Sequence, residues 1–353
     1  MNSRLESTYS QLKQRGLDSL LVSLPANISY LTESLSRDSY LLVSEKGNIY
    51  FTDSRYTEEA GSFLKDNAKL KECNGPVFKC IAQAGLELGL KRMGFEERHL
   101  AFAEFAKIKE YSKGSFELMP THGIIEDKRQ VKDKQEIAKL KKATRITALA
   151  LRHIRKFLKP GIKEVEVAAE LERFIRYQGA RASAFDIIVA SGHNSSQPHH
   201  LSGPRKLKDK ESVLIDFGVD FQGYKSDLTR VFFLGKIKVL VRKVYDIVLS
   251  AQELAIKRIR PGAEMAEIDR VAREYIAAKG YAGYFTHNLG HGFGLEVHED
   301  PRISAREASA LKPGMTFTVE PGIYLPGKFG IRIEDMVLVT RKGCEVLSGS
   351  INK

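Results

Sequence analysis

Hydrophobic and polar positions change rhythm twice along this chain. Over the first 120 residues, short apolar runs at 20–24, 40–43 and 48–52 predict β-strands, with Glu45, Lys46 and Gly47 turning the chain between the last two. Residues 4–15 and 57–70 instead place apolar side chains three and four positions apart, the spacing of an amphipathic helix. These runs predict a mixed α/β domain over residues 1–125, in which the cluster Asp53, Arg55 and Tyr56 reads as structural or interfacial. The segment 126–135 is highly charged, with Val131 its only large apolar residue, and reads as a linker. A helix is then expected over 134–158, with Ile137, Leu140, Ile146, Leu149 and Ile154 on or near one face and Pro160-Gly161 ending it.

The second part of the chain contains a repeat. Residues 159–179 and 260–280 align without a gap at a constant offset of 261 − 160 = 101, pairing Pro160 with Pro261, Glu166 with Glu267, Phe174 with Tyr275 and Gly179 with Gly280. Each copy follows a long helix and precedes strands rich in branched and aromatic residues. Two copies are too few for a solenoid. They predict a pseudo-twofold α/β domain with strands of both halves in a central sheet, helices outside, and a site where the halves meet.

Composition narrows the class. A chain of 353 residues with 42% hydrophobic and 28% charged residues is globular, which excludes disordered, collagen-like and coiled-coil proteins. No run of 18 apolar residues is present, so no spanning helix is expected, and the charged start lacks a secretory signal's apolar core; a cytoplasmic protein is the expectation. Cys73, Cys80 and Cys344 lack metal-finger spacing and read as incidental thiols. Lys plus Arg exceed Asp plus Glu by 56 − 44 = +12. That excess fits nucleic acid, acidic partners or a lysine-rich solvated surface, and the lack of a long basic run favours the surface.

The candidate chemistry is concentrated late in the chain. Six of nine histidines (His193, His199, His200, His287, His291 and His298) fall within 193–298. Residues 213–235 read as a hairpin turning at Gln222-Gly223, which pairs Phe221 with Tyr224, Gly218 with Asp227 and Asp216 with Thr229. Asp216 and Asp227 then lie diagonally on one face, with β-carbons roughly 7 Å apart. Two metal ions about 3.5–4 Å apart fit between such carboxylates. Glu320 at a strand end and Glu334 in an apolar run add two more. Four carboxylates and the imidazole of His291 suit two hard or borderline divalent ions rather than a thiolate-rich zinc site.

Five motifs occur in order: the run from Asp216 to Arg230, His287 to Gly292 (H-x-x-x-H-G), His298 to Pro301 (H-E-x-P), Glu320 to Tyr324 (E-P-G-I-Y) and Gly330 to Asp335 (G-I-R-I-E-D). Over residues 185–340 the chain resembles the pita-bread metallopeptidases, specifically the Xaa-Pro peptidases aminopeptidase P and prolidase. Residues 1–125 resemble their creatinase-like amino-terminal domain more loosely, which separates the chain from methionine aminopeptidase. The resemblance implies an α/β pita-bread catalytic domain over 136–353 and two divalent metal ions per subunit, with Mn or Co ahead of Zn or Fe. It implies that Asp216 chelates one metal, His291 and Glu320 the other, and Asp227 and Glu334 bridge both. His199, His298, His287 and Arg332 match catalytic positions, and Glu320 also accepts a proton from water.

The implied activity is hydrolysis of the peptide bond preceding proline by a metal-bridging hydroxide, on a peptide with proline second, in a homodimer without nucleic-acid or membrane partners. Phe185, Tyr224 and Tyr324 are candidate walls for the pyrrolidine ring. The motifs do not separate aminopeptidase P from prolidase. Two other readings stay open: an inactive binding relative on the same fold, and a non-peptide C–N hydrolase of creatinase type.

Overall fold

The computed structural model describes residues 3–64 and 67–353. The chain divides into two compact units, Met1–Arg129 and Gln130–Lys353. Among the described residues no helix is long and apolar enough to cross a membrane.

The first unit runs α1 (Ser3–Gln14), β1 (Ser19–Val22), α2 (Pro25–Thr32), β2 (Tyr40–Ser44), β3 (Ile49–Thr52), α3 (Thr57–Leu64), β4 (Lys69–Glu72), α4 (Val77–Glu87), β5 (Arg92–Glu96), α5 (Phe102–Ser112), β6 (Glu117–Thr121) and α6 (Glu126–Arg129). Its six strands form one mixed sheet in the order β4-β3-β2-β1-β5-β6. The apolar runs read as strands are the buried centre of that sheet: Leu20, Leu21, Leu42 and Phe51 are fully enclosed. The helix expected over 57–70 is shorter. It ends at Leu64, Lys65 and Asp66 lie outside the described residues, and 69–72 is the edge strand β4, parallel to β3. Lysines at 69 and 71 suit an edge, where charge discourages further strand pairing.

The second unit carries the repeat. Helix α7 (Lys134–Phe157) starts at an Asp133 N-cap, whose carboxylate accepts from the Gln135 and Glu136 amides. Helices α8 (Glu164–Tyr177) and α9 (Val239–Ile256) follow, then α10 (Met265–Ala278). Both bounds of α10 are those of α8 plus 101. Val167, Leu171 and Ile175 on α8 are buried, and so are their repeat mates Ile268, Ala272 and Ile276 on α10. Spacing by four puts each trio on one stripe, and each large aliphatic side chain contributes about 1.5–3 kcal/mol when fully buried. The two stripes close two separate apolar cores, one per half.

The strands of the second unit are β7 (Ala182–Ser183), β8 (Ile188–Ser191), β9 (Glu211–Phe217), β10 (Val219–Phe221), β11 (Tyr224–Lys225), β12 (Leu228–Leu234), β13 (Gly290–Gly292), β14 (Glu299–Ile303), β15 (Thr316–Val319), β16 (Gly322–Leu325), β17 (Phe329–Arg332), β18 (Asp335–Val339) and β19 (Cys344–Val346). They do not join into the single central sheet expected. The first half contributes the ladder β12-β9-β8 and the second β14-β13-β15-β18-β19. The halves meet where the Glu334 amide donates to the Thr229 carbonyl (3.3 Å) and the Arg230 guanidinium reaches the Glu334 carbonyl and the Asp335 carboxylate.

The 213–235 hairpin has the expected register, Phe221 facing Tyr224 and Asp216 facing Thr229. Gln222 (φ 52°) and Gly223 (φ 87°) give both central turn positions the positive φ of a type I′ turn. The ladder nevertheless breaks in the middle, leaving β10-β11 with β7. A β-carbon on Gly218 would sit 1.9 Å from the Ser226 carbonyl oxygen, so the strands press together there and Asp227 leaves the ladder beside Met336, whose sulfur accepts its amide (3.2 Å).

Asp220 braces the turn. Its carboxylate accepts from the Gly223 amide (2.9 Å), Arg181 (2.5 Å) and Lys225 (2.7 Å). Burial works against its charge, but these donors outweigh it and hold the carboxyl below its usual range. A depressed carboxyl pKa contributes stability that is complete above the unfolded value and lost as pH falls through the folded one. Asp220→Asn is therefore expected to destabilise the unit by about 1–3 kcal/mol at pH 7. The difference from wild type should shrink toward pH 3, as urea unfolding at the two pH values would show.

Candidate metal centre

The hairpin and the second-half strands deliver the five proposed ligands to one place. Asp216 stands on β9, Asp227 directly before β12, His291 in the middle of β13, Glu320 directly after β15, and Glu334 between β17 and β18. All five line one cavity of about 1070 Å³, with His199, His200, His287, His298 and Arg332. Donor atoms of Asp227, His291 and Glu334 lie within 4.8 Å of one another. His291 Nε2 is 3.2 Å from Glu320 Oε1 and 3.6 Å from Asp227 Oδ2.

Local hydrogen bonds set the direction of each group. The His291 Nδ1–H donates to the Gly292 carbonyl (3.1 Å), which leaves Nε2 to face the carboxylates. The Thr318 hydroxyl accepts the His291 amide (3.1 Å) and donates to Glu320 Oε1 (2.9 Å). Arg332 spans the floor. Its Nη2 donates to Asp216 Oδ2 (2.5 Å), its Nε to Thr229 Oγ1 (3.0 Å), and its Nη1 to the Tyr324 hydroxyl (2.8 Å) and the Pro198 carbonyl (3.3 Å). Thr229 passes the contact on by donating to Glu334 Oε2 (2.7 Å), and Tyr324 by donating to His287 Nε2 (3.0 Å).

The electrostatics favour bound positive charge. Burial, with Glu334, Asp216 and Glu320 nearby, pushes the Asp227 carboxyl far above its usual range. Burial, with Glu320 and Asp216, does the same to Glu334. Burial also opposes ionisation of Glu320, but the hydrogen bond from His291 outweighs it and the pKa is held down to about 2. Burial disfavours charge on His291, yet Glu320 raises its pKa on balance. His298, its ring centroid 4.1 Å from that of His291, is kept neutral by burial and by that neighbour. Asp216 Oδ1 and Glu334 Oε1 are buried without a hydrogen-bond partner among the described residues. Orphaned buried carboxylate oxygens are costly unless a cation takes them. The donor set, four carboxylates and one imidazole around two such oxygens, fits divalent cations.

Other candidates separate. Phe185 lines the cavity, whereas Tyr224 is buried with its hydroxyl on Glu136 (3.0 Å), away from it. Tyr324 acts through its hydroxyl, between Arg332 and His287. His193 is exposed and outside the cavity lining. Sequence reasoning did not single out Arg302, on β14 opposite His291, or the hydroxyl of Thr229. Its place opposite His291 marks Arg302 only once the strand pairing is known.

Residues 138–341 match metallopeptidase family M24, and residues 4–131 match the creatinase/prolidase N-terminal domain. A Xaa-Pro dipeptidase of Pyrococcus furiosus is 34% identical over 352 residues, covering 99% of this chain and 98% of that protein. The solved Xaa-Pro dipeptidase from Bacillus anthracis superposes with a TM-score of 0.95 at 38% identity, over 99% of this chain and 98% of that one. The X-Pro aminopeptidase from Thermotoga maritima superposes with a TM-score of 0.88 at 37% identity, over 96% and 97%. The chain thus belongs to metallopeptidase family M24, a pita-bread metallopeptidase preceded by a creatinase/prolidase N-terminal domain.

Proposed function

We propose that this protein hydrolyses the peptide bond preceding proline, using two divalent cations, manganese or cobalt foremost, held by Asp216, Asp227, His291, Glu320 and Glu334. The observation carrying this reading is the pair of buried, unpartnered carboxylate oxygens on Asp216 and Glu334 within a cavity that also presents His291 and two further acids. Cations bound there supply Lewis acidity and lower the pKa of water, which provides a nucleophile near neutral pH. Asp227 and Glu334, the acids most opposed to ionising alone, would hold the cations together with Asp216, His291 and Glu320.

The remaining residues bind and position. Glu320, ionised throughout the working range, accepts the proton of the attacking water. His298, neutral, donates a hydrogen bond to the carbonyl oxygen as charge develops there, and His199 does so from the facing loop. His287 is fixed by Tyr324 and presents its ring at the cavity wall. A prolyl amide has no N–H to satisfy, so an apolar wall suffices for its ring. Phe185, Ile187 and Val297 provide one.

Within this activity, Arg302 favours dipeptides. It is exposed in the same cavity and makes no ion pair among the described residues, so its guanidinium is available for a free carboxylate one residue beyond the scissile bond. The test combines metal analysis with a substrate panel. Chelation is expected to abolish turnover and added Mn to restore it, and Xaa-Pro should be cleaved faster than Xaa-Pro-Xaa-Xaa. Protein that carries no stoichiometric metal, or turns over equally well with chelator, would refute the reading; hydrolysis of non-peptide C–N bonds without metal would point to the creatinase type.

A further inference from the structure

Resting on the proposed role of His199, we infer that His200 and Glu164 are positioning residues: together they hold the turn that presents His199 to the metal site. His199 is the third residue of a turn closed by the His200 amide donating to the Gln197 carbonyl (3.2 Å). The turn is pinned on both sides of His199. One residue before it, the Pro198 carbonyl accepts from Arg332 Nη1 (3.3 Å). One residue after it, His200 Nε2 lies 2.8 Å from Glu164 Oε2. A carboxylate at that distance accepts, so the His200 Nε2–H donates to it.

Glu164 is built as an anchor. It is the first residue of α8, fully buried, where the helix N-terminus favours a negative charge. Its Oε1 accepts from the Ser191 amide (2.7 Å) and hydroxyl (2.6 Å), and both oxygens accept from Asn194 Nδ2 (3.1 Å each). Burial opposes its charge, but these donors lower its pKa on balance. Both ends of the loop from Ser191 to His200 are therefore tied to one carboxylate on a packed helix. Ser195 ties the middle, accepting the Gly330 amide (2.8 Å) from β17, the strand that carries Arg332. Among the described residues His199 makes no comparable bond of its own, and it is exposed. Its placement is inherited from its neighbours.

The test is a double-mutant cycle on manganese-loaded protein with Ala-Pro as substrate, reading kcat, KM, bound metal and thermal midpoint. His200→Ala is expected to lower kcat roughly ten- to hundredfold, the usual loss when a functional group's supporting contact goes, with metal content unchanged. His200→Gln, whose amide still donates to Glu164, should return kcat to within about threefold. His200→Phe keeps the bulk without the donor and should behave as the alanine variant does, which separates lost packing from lost positioning. In a His199→Ala background, His200→Ala should cost nothing further, because the two act as one unit. Full kcat in His200→Ala, no rescue by glutamine, or losses that multiply across the cycle would overturn the positioning role. Full activity in His199→Ala would overturn it together with the role of His199, whereas loss in His199→Ala with none in His200→Ala overturns it alone.

Discussion

Asp227→Asn is expected to abolish Xaa-Pro hydrolysis and, in chelator-treated protein, to make the fold harder to unfold. The two effects share one cause. Asp227 is held among Glu334, Asp216 and Glu320 in a buried site, and its carboxyl pKa is raised far above normal. Between its unfolded value, about 3.9, and that raised value, the folded chain binds a proton that the unfolded chain has released. Stability then falls as pH rises, because the native state binds more protons than the unfolded one. The amide cannot ionise and escapes that penalty. In metal-free protein the variant should gain on the order of 1 kcal/mol, a few degrees in thermal midpoint, and more at pH 8 than at pH 5. With metal the order inverts, because cations that bind only the native state stabilise wild type, by about 2.7 kcal/mol at a hundredfold excess over Kd. Loss of a carboxylate proposed to hold the cations should lower turnover roughly a thousandfold or more, equivalent to about 4 kcal/mol in the barrier. A variant that keeps metal and turnover, or melts lower than wild type with chelator, would contradict this account.

Arg332→Lys is expected to be almost as damaging, although it keeps the charge. The arginine uses all three nitrogens, toward Asp216, Thr229 and the Tyr324–Pro198 pair, and it is 4% exposed. Lysine has one compact ammonium group and cannot reach three directions at once. It can satisfy Asp216 or Thr229, not both with Tyr324. Glu334, oriented through Thr229, and His287, oriented through Tyr324, then both lose their fixed geometry. Turnover should fall roughly a hundredfold with partial loss of bound metal. Arg332→Met, which strands the Asp216 carboxylate in a buried site, should also cost about 3–5 kcal/mol in stability. Urea unfolding and metal content measured on both variants would check this; a lysine variant within threefold of wild type would remove Arg332 from the network.

Much of this architecture was readable before any coordinates. Apolar spacing of three and four placed α7, and the 101-residue offset located α8 and α10, because a helix that packs one stripe repeats that stripe in each copy. The hairpin register followed from the Gln222-Gly223 turn, since a two-residue turn leaves the partners of every later residue determined. The four acids and one imidazole stood out by chemistry, as such groups are rare in apolar strands unless something binds them. Less was legible where partners are distant. Nothing near Lys69 marked it as strand rather than helix, because its pairing is with Ile49, twenty residues away. Tyr224 and Tyr324 looked alike as aromatic residues beside motifs; only packing made one a core group and the other a relay.

The sequence by itself determined α7, α8 and α10, the duplicated halves, the hairpin and the set of acids and imidazole proposed to hold metal, since each depends on periodicity, turn chemistry or residue type over short spans. Only the tertiary structure decided that the strands stay in separate ladders, that Gly218 and Ser226 split the hairpin where Asp227 emerges, and that one guanidinium joins Asp216, Thr229 and Tyr324. It also decided that Glu164 reaches His200 across 36 positions. Those outcomes depend on close packing and on satisfying buried polar atoms, conditions that bring together residues far apart in the chain and leave no trace in its local pattern.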